Sequence, residues 1–395
     1  MLVDREASTV DAGGDPASKA EGGAPFGLPP SGCWPDAWIR RLFEAGGVVR
    51  DGGFDPSRLQ PCSLDLTLGA EAWRMPASVL PTDEPVRRLI EQYGRRPFDL
   101  TTPQVLDREK VYWVRLAERF ALPSAVGAYC NNKSSVGRID LQTRVLTDRT
   151  PRYDKIRRGY AGEAWLEIIP KSFDVELAAG TSLNQAIFYA ERRILDSRDL
   201  VLLSEHEPLI CDADGRARKL ERDSIEDGLL LSVDLEQEPA GYVAKRTSSE
   251  LSLLDAARND PAEFFEPIPR PRDGKLWLQR GRFYILATRE RVRIPKDFAV
   301  EMLPYETTAG EFRAHYAGFF DPGFGWSPDG KGRGAASVLE VRPYDDDLIL
   351  RHGQPICKLA FETLAAAPSR PYGAGLGSHY HDQAGPRLSR FLRTP

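Results

Sequence analysis

Long apolar runs are missing from this sequence. No window approaches the ~20 consecutive apolar residues that a membrane helix needs, so no membrane partner is expected. Paired cysteines are missing as well. Cys33, Cys62, Cys130, Cys211 and Cys357 are odd in number, scattered, and never at C-x-x-C spacing. That pattern points to reduced thiols in a cytoplasmic protein and away from a disulfide framework. Excess positive charge is also absent. A net charge of −5 provides no general basic field, so neither bulk nucleic-acid binding nor an anionic membrane surface is favoured. Asp4, Glu6 and Asp11 come before any apolar run, so no secretory leader is expected.

The chain has 395 residues, long for one domain and comfortable for two, with 41% hydrophobic and 28% charged residues as in ordinary globular proteins. Residues 1–33 are rich in Gly, Ala, Pro, Asp and Ser and read as a loosely attached tail. Order is expected from Trp34, with a helix carrying Trp38, Ile39, Leu42 and Phe43 and ending at Gly46-Gly47. Short alternating apolar runs follow between Gly, Pro and Asp turns, at 63–68, 111–116, 164–169 and 186–189. This is an all-β pattern of sandwich, jelly-roll or barrel type, with few helices; 86–93 and 249–257 are the candidates.

One window stands out, Cys-Asn-Asn-Lys-Ser-Ser-Val-Gly-Arg at 130–138. Lys133, Ser134, Ser135 and Arg138 place two cations and two hydroxyls within six residues, beside exposable backbone N–H groups. That combination suits a row of phosphate oxygens, although a solvated turn uses the same residue types. Its weight increases because the sequence repeats itself. Ser63-Leu64-Asp65-Leu66 recurs as Ser232-Val233-Asp234-Leu235, and Val111-Tyr112 recurs as Phe283-Tyr284 at an offset of 172. At an offset of 173, Leu166-Glu167 matches Leu339-Glu340, Pro170 matches Pro343, Gly180 matches Gly353 and Phe188 matches Phe361. The chain therefore reads as a tandem duplication of a β-rich domain, with units at 34–200 and 201–395.

The two copies differ where chemistry is expected. Lys133, Ser134 and Arg138 become Glu306, Thr307 and Glu311, so the cationic window occurs once per chain. Glu167 and Glu340 are retained in corresponding strands. A solvent-facing strand glutamate is the commoner arrangement, but glutamate is a poor strand former, and its presence in both copies favours a shared role.

Several motifs together resemble the dCTP deaminase family, the deaminating branch of the dUTPase-like superfamily. The run 59–69, Leu-Gln-Pro-Cys-Ser-Leu-Asp-Leu-Thr-Leu-Gly, is similar to that family's first motif, and 133–138 resembles its Arg-Ser-Ser-x-x-Arg motif with Lys133 in the first place. Ala314-His315 and the segment from Phe320-Asp321 to Trp326 resemble its Ala-His-Arg-Ile-Asp-Pro-Gly-Trp hairpin in expanded form. Both 338–340 and 159–167 resemble the strand bearing the catalytic glutamate, while 370–372 and 379–385 resemble the C-terminal lid. The lid departs from the family's pattern at one place, where His379 stands for its lysine.

The resemblance implies two tandem dUTPase-like β-barrel or jelly-roll domains, mainly β, with an active site between domains. It implies hydrolytic deamination of dCTP to dUTP and ammonia, supplying pyrimidine deoxynucleotides. Glu340 is the favoured base and Glu167 the alternative, with Ser134 and Arg138 assisting. Lys133, Ser135, Ala314, His315, Asp321, Trp326, Tyr372, His379 and Gln383 are implied substrate contacts. The expected ligands are dCTP or dUTP, with dTTP a further candidate, and Mg²⁺ travels with the triphosphate. Self-association of domains within or between chains is also expected. No zinc is expected, because the H-x-E and P-C-x-x-C signatures of zinc deaminases do not occur. The alternatives are a dUTPase, a bifunctional enzyme yielding dUMP, or a non-catalytic nucleotide-binding module.

Overall fold

The computed structural model describes residues 31–212, 214–304, 312–313, 318–327, 332–373, 380 and 383–393. Residues 1–30, most of the expected tail, lie outside the described residues, as do Ala314, His315, His379 and 306–311. The tail does not extend to 33. Cys33 is fully buried and bridges Tyr189 on one side and Leu364 on the other, so the folded body includes it.

Helix α1 (Asp36–Glu44) buries Trp38, Ile39 and Leu42 on one face. It ends at the expected glycines, where Gly46 takes a φ of +75° and the N–H groups of Ala45, Gly46 and Gly47 close onto its last carbonyls. A second helix, α2 (Val86–Tyr93), buries Val86, Leu89 and Ile90 at the spacing seen in the sequence. The segment 249–257 is not the expected helix. Glu250–Ser252 pairs in parallel with Asp174–Leu177 of the first half, and only Ala256–Arg258 winds into a 3-10 turn. Pairing with a distant strand edge overrides the local apolar spacing there. Helix α4 (Ser197–His206), capped by Asp196, joins the halves and was not expected from the apolar spacing. Between α2 and α4 lies a one-turn helix, α3 (Ser134–Gly137), considered below.

The rest is mainly β. In the first half the principal strands are β1 (Leu64–Met75), β2 (Val111–Ala121), β3 (Gly127–Asn132), β4 (Leu141–Thr147), β5 (Ala161–Pro170) and β6 (Ser182–Tyr189). In the second they are β7 (Leu229–Asp234), β8 (Tyr284–Val292), β9 (Phe298–Pro304), β10 (Ala335–Pro343) and β11 (Pro355–Thr363). The first sheet runs β4-β5-β2-β1-β6-β3, and the second β10-β8-β7-β11-β9, all antiparallel between neighbours. The order β5-β2-β1-β6-β3 thus recurs as β10-β8-β7-β11-β9, strand for strand.

The halves are not independent bodies. The core of the first, built on Leu64, Leu66, Val114, Leu166 and Phe188, also takes in Phe264, Phe265, Phe283, Val338, Phe391 and Leu392 from the second. Phe173 meets Phe264 and Phe265 edge-on, with ring centroids 5.2 and 5.5 Å away. Each such fully buried ring contributes about 1.5–3 kcal/mol. Arg192, in the connection, bonds Glu301 and Glu362 of the second half, and Glu362 accepts from Tyr129 of the first. A site formed at this seam is therefore held on both sides by packed sheet.

Candidate active site

The 130–138 window ends β3 and turns through α3. The N–H groups of Val136 and Gly137 bond Lys133 O, and that of Arg138 bonds Ser134 O. These three donors are consumed by the turn. The window also offers side chains. Lys133, Ser134, Ser135 and Arg138 all line one cavity of about 300 Å³.

The opposite wall comes from the second half. Strand β10 carries Glu340 into the cavity against α3, where its side chain is 2% exposed. A Cβ built on Gly137 would lie 2.5 Å from Glu340 Cδ and closer still to both oxygens. Only a glycine leaves room for that carboxylate. Its counterpart Glu167 is elsewhere. On β5 it accepts from Trp113 Nε1 at 3.1 Å and from Arg144 Nε at 2.9 Å, and it does not line the cavity. Burial with one cation and one indole gives Glu167 a complete structural role. Its expected partners, 306–311, lie outside the described residues.

Arg138 is almost fully buried. Its Nη1 donates to Arg387 O at 2.9 Å, its Nη2 to Gln383 Oε1 at 3.1 Å, and its guanidinium stacks 3.7 Å from the centroid of Tyr380. Burial lowers its pKa below the usual guanidinium value, while Tyr380, Glu340 and Tyr372 oppose that shift. Arg138 still remains cationic at any physiological pH. Tyr380 also exchanges a hydrogen bond with Ser135 Oγ at 3.0 Å, and Ser389 Oγ donates to Ser135 O at 2.6 Å. The C-terminal segment thus closes on α3 through Tyr380, Gln383 and Ser389.

Further along the cavity, Lys133 Nζ pairs with Asp65, the aspartate of the 59–69 motif, so this cation is held by a carboxylate within the pocket. Asp321 lies beside them. Loss of solvation pushes its pKa up to about 7, with Asp65 adding repulsion, while Cys62 and Lys133 lower it. Tyr372 is pushed up to about 12, mainly by loss of solvation, and stays protonated at neutral pH. The hairpin after Asp321 is aromatic, but Trp326 does not line the cavity as expected. Phe319, Phe320 and Phe324 do, because the turn at Gly323 (φ +95°) folds Phe324 inward to within 5.9 Å of the Tyr372 ring.

Sequence reasoning missed Arg58, Gln60, Asp65, Gln185, Val338, Tyr380 and Arg390 as lining residues. Gln60, Asp65 and Tyr380 stand inside motifs quoted above, and that was the available signal; Arg58 and Arg390 carry none. Arg58, Lys133, Arg138 and Arg390 face Asp65, Asp321 and Glu340, a mixed-charge cavity with an aromatic wall. Such an arrangement can hold a polyanion at one end and a planar, polar ring at the other. Among the described residues no group of three His, Cys, Asp or Glu side chains is placed to hold a metal ion, and no helix is long and apolar enough to cross a membrane.

Comparison with known proteins agrees with the motifs. Residues 30–192 match the family model described as the 2'-deoxycytidine 5'-triphosphate deaminase N-terminal domain, and 198–392 match the C-terminal domain of the same enzyme. The crystal structure of 2'-deoxycytidine 5'-triphosphate deaminase from Agrobacterium tumefaciens is similar with a TM-score of 0.79 and 36% identity, covering 86% of this chain and 100% of that one. A dUMP-forming dCTP deaminase from Halobacterium salinarum is 29% identical over 201 residues, 48% of this chain and 94% of that protein. One from Beutenbergia cavernae is 26% identical over 189 residues, 46% of this chain and 94% of that protein. Both family models, end to end along one folded chain, and a full-length structural match establish that the chain belongs to the dCTP deaminase family.

Proposed function

We propose that the chain hydrolyses dCTP to dUTP and ammonia at the cavity between its halves. The observation that carries this reading is the Glu340 carboxylate packed on Gly137 of the Ser/Arg segment. Deamination requires a water oxygen to add at C4, a proton to reach N3, and the amino group to leave as ammonia. One carboxylate can perform all the transfers: it takes a proton from the attacking water and gives it to N3, then takes the remaining proton from the new C4 hydroxyl and gives it to the amino group, which leaves as ammonia while the C4 carbonyl forms. Glu340 is buried, close to the cationic Arg138, and backed by a strand on a packed sheet, which suits a group that must be both base and acid.

Ser134, on the cavity wall, orients the water, and Arg138 balances the charge on Glu340 while its plane is fixed by Tyr380 and Gln383. The aromatic wall of Phe320 and Phe324 receives the flat parts of the nucleotide, and the cations Arg58, Lys133 and Arg390 receive the phosphates. Mg²⁺ enters with the triphosphate as part of the substrate. The water is assigned to the carboxylate because the sequence carries no zinc-deaminase signature.

Release of dUMP is a second reading, favoured by the description of the two relatives above as dUMP-forming. One assay separates the readings: Mg-dCTP is added to the purified chain, and ammonia, dUTP, dUMP and pyrophosphate are followed. Ammonia and dUTP without pyrophosphate support the first reading, and dUMP with pyrophosphate the second. Tight dCTP binding with no product would overturn both and leave a nucleotide-binding module.

A further inference from the structure

Two residues beyond Glu340 on β10, Arg342 reaches a second cavity of about 600 Å³ that opens on the seam between the halves. The first half contributes Arg108, Glu109, Lys171 and Ser172 to its wall, and the second contributes 244–248 and 280–283. The charge there is almost all of one sign. Arg108, Lys245, Arg246, Arg280 and Arg282 line it against a single carboxylate, Glu109. The side-chain hydrogen bonds of four of them go to neutral oxygens, while the backbone N–H groups of Arg108 and Arg280 bond the carboxylates of Asp174 and Asp347. Arg108 donates to Thr247 O at 3.2 Å, Lys245 to Ala262 O at 2.8 Å, and Arg282 to Ala244 O and Gln279 Oε1 at 3.2 Å each. With Lys171 and Arg342, seven positive charges gathered this way in a chain of net charge −5 repel one another and raise the local anion concentration.

We propose that this cleft binds an oligophosphate, as a site separate from the cavity that holds Glu340. A single-charge anion would engage one wall only. A chain of phosphates offers charges several ångströms apart, which matches guanidinium groups arriving from both halves, and Thr247 and Ser248 supply hydroxyls for its oxygens. The volume admits a nucleoside triphosphate as readily as an inorganic one. The cleft also touches the first cavity's framework. Arg342 lines it and at the same time pairs with Asp140, just after Arg138, so a bound anion shares the cation that ties α3 to β10.

Calorimetric titration of the full chain with inorganic tripolyphosphate tests this, with the same titration on Lys133→Gln and on the triple variant Lys245→Gln/Arg280→Gln/Arg282→Gln. The expected result is a binding event that survives Lys133→Gln and weakens about tenfold or more in the triple variant. If the triple variant fails to fold by circular dichroism, Arg280→Gln alone, on an exposed side chain, should weaken the event about threefold or more. Equal affinity for tripolyphosphate and ATP assigns phosphate recognition alone, and binding of ATP only assigns a nucleotide; either supports the site. An unchanged isotherm in the cleft variants would overturn it, as would binding of a DNA or RNA duplex more tightly than either phosphate ligand.

Discussion

Gly137 shows how a single missing atom makes room for chemistry. It lies in the turn of α3, in helical conformation, so the need for glycine there is spatial rather than conformational. Any side chain at 137 pushes the Glu340 carboxylate away from the wall formed by Ser134 and Arg138. Gly137→Ala should therefore leave a folded protein whose kcat in an ammonia-release assay is reduced on the order of 100-fold, the usual effect of misplacing a catalytic group by about 1 Å. Activity within about threefold of the parent chain would contradict that packing. Asp321 sets a pH dependence. Its folded pKa of about 7 lies above the ordinary carboxylate value, so it is neutral below pH 7 and anionic above. Its contribution to stability is complete below the unfolded pKa and is lost as pH rises through 7. The same ionisation places a negative charge beside Lys133, so KM for dCTP should rise as pH passes 7. Asp321→Asn should flatten that part of the profile, and an unaltered profile would show that another group titrates.

At the scale of elements, β5 and β10 carry a glutamate at the same position of the same repeated strand, and yet the two are placed differently. Glu167 finds Arg144 on the adjacent strand β4 and Trp113 on β2, whereas Glu340 meets α3 of the other half. No reading of local sequence could choose between them, because what distinguishes them is a neighbour from another strand in one case and from another domain in the other. What was legible followed from short-range rules: α1, α2, β1, β2, β5 and β6 lie where apolar spacing put them. What was missed depended on long-range contact: the strand at Glu250–Ser252, the inward turn of Phe324, and the Tyr380 platform under Arg138. The contact that fastens β10 to α3 was equally invisible. Arg342 pairs with Asp140, which is fully buried and also accepts from Ser172 Oγ at 2.6 Å. Arg342→Met leaves that aspartate without its cation, and a loss of about 3–5 kcal/mol in urea unfolding is expected, with kcat reduced in the folded fraction. Unchanged stability would mean that the seam does not depend on this pair.

For the molecule as a whole, the repeat produced two sheets with the same strand order and one described site. The first half supplies the Ser/Arg segment and Asp65, and the second supplies the carboxylate, the Asp321 hairpin and the closing C-terminal residues. A shared core and the Arg192 connection hold the two in register, so both halves of one chain line the described site. The two copies therefore differ in where their glutamates go: Glu167 is held in a buried ion pair, and Glu340 lines the cavity. The most direct test compares ammonia release from dCTP by Glu340→Gln and Glu167→Gln, each normalised to the fraction folded. Glu340→Gln should lose at least about 100-fold in kcat with KM little changed, because it removes a proton-transfer group and keeps the shape of the site. Glu167→Gln should lower the melting temperature and retain kcat within about threefold, since it weakens a buried ion pair outside the cavity. Full activity in Glu340→Gln, with loss of turnover in folded Glu167→Gln, would contradict the account.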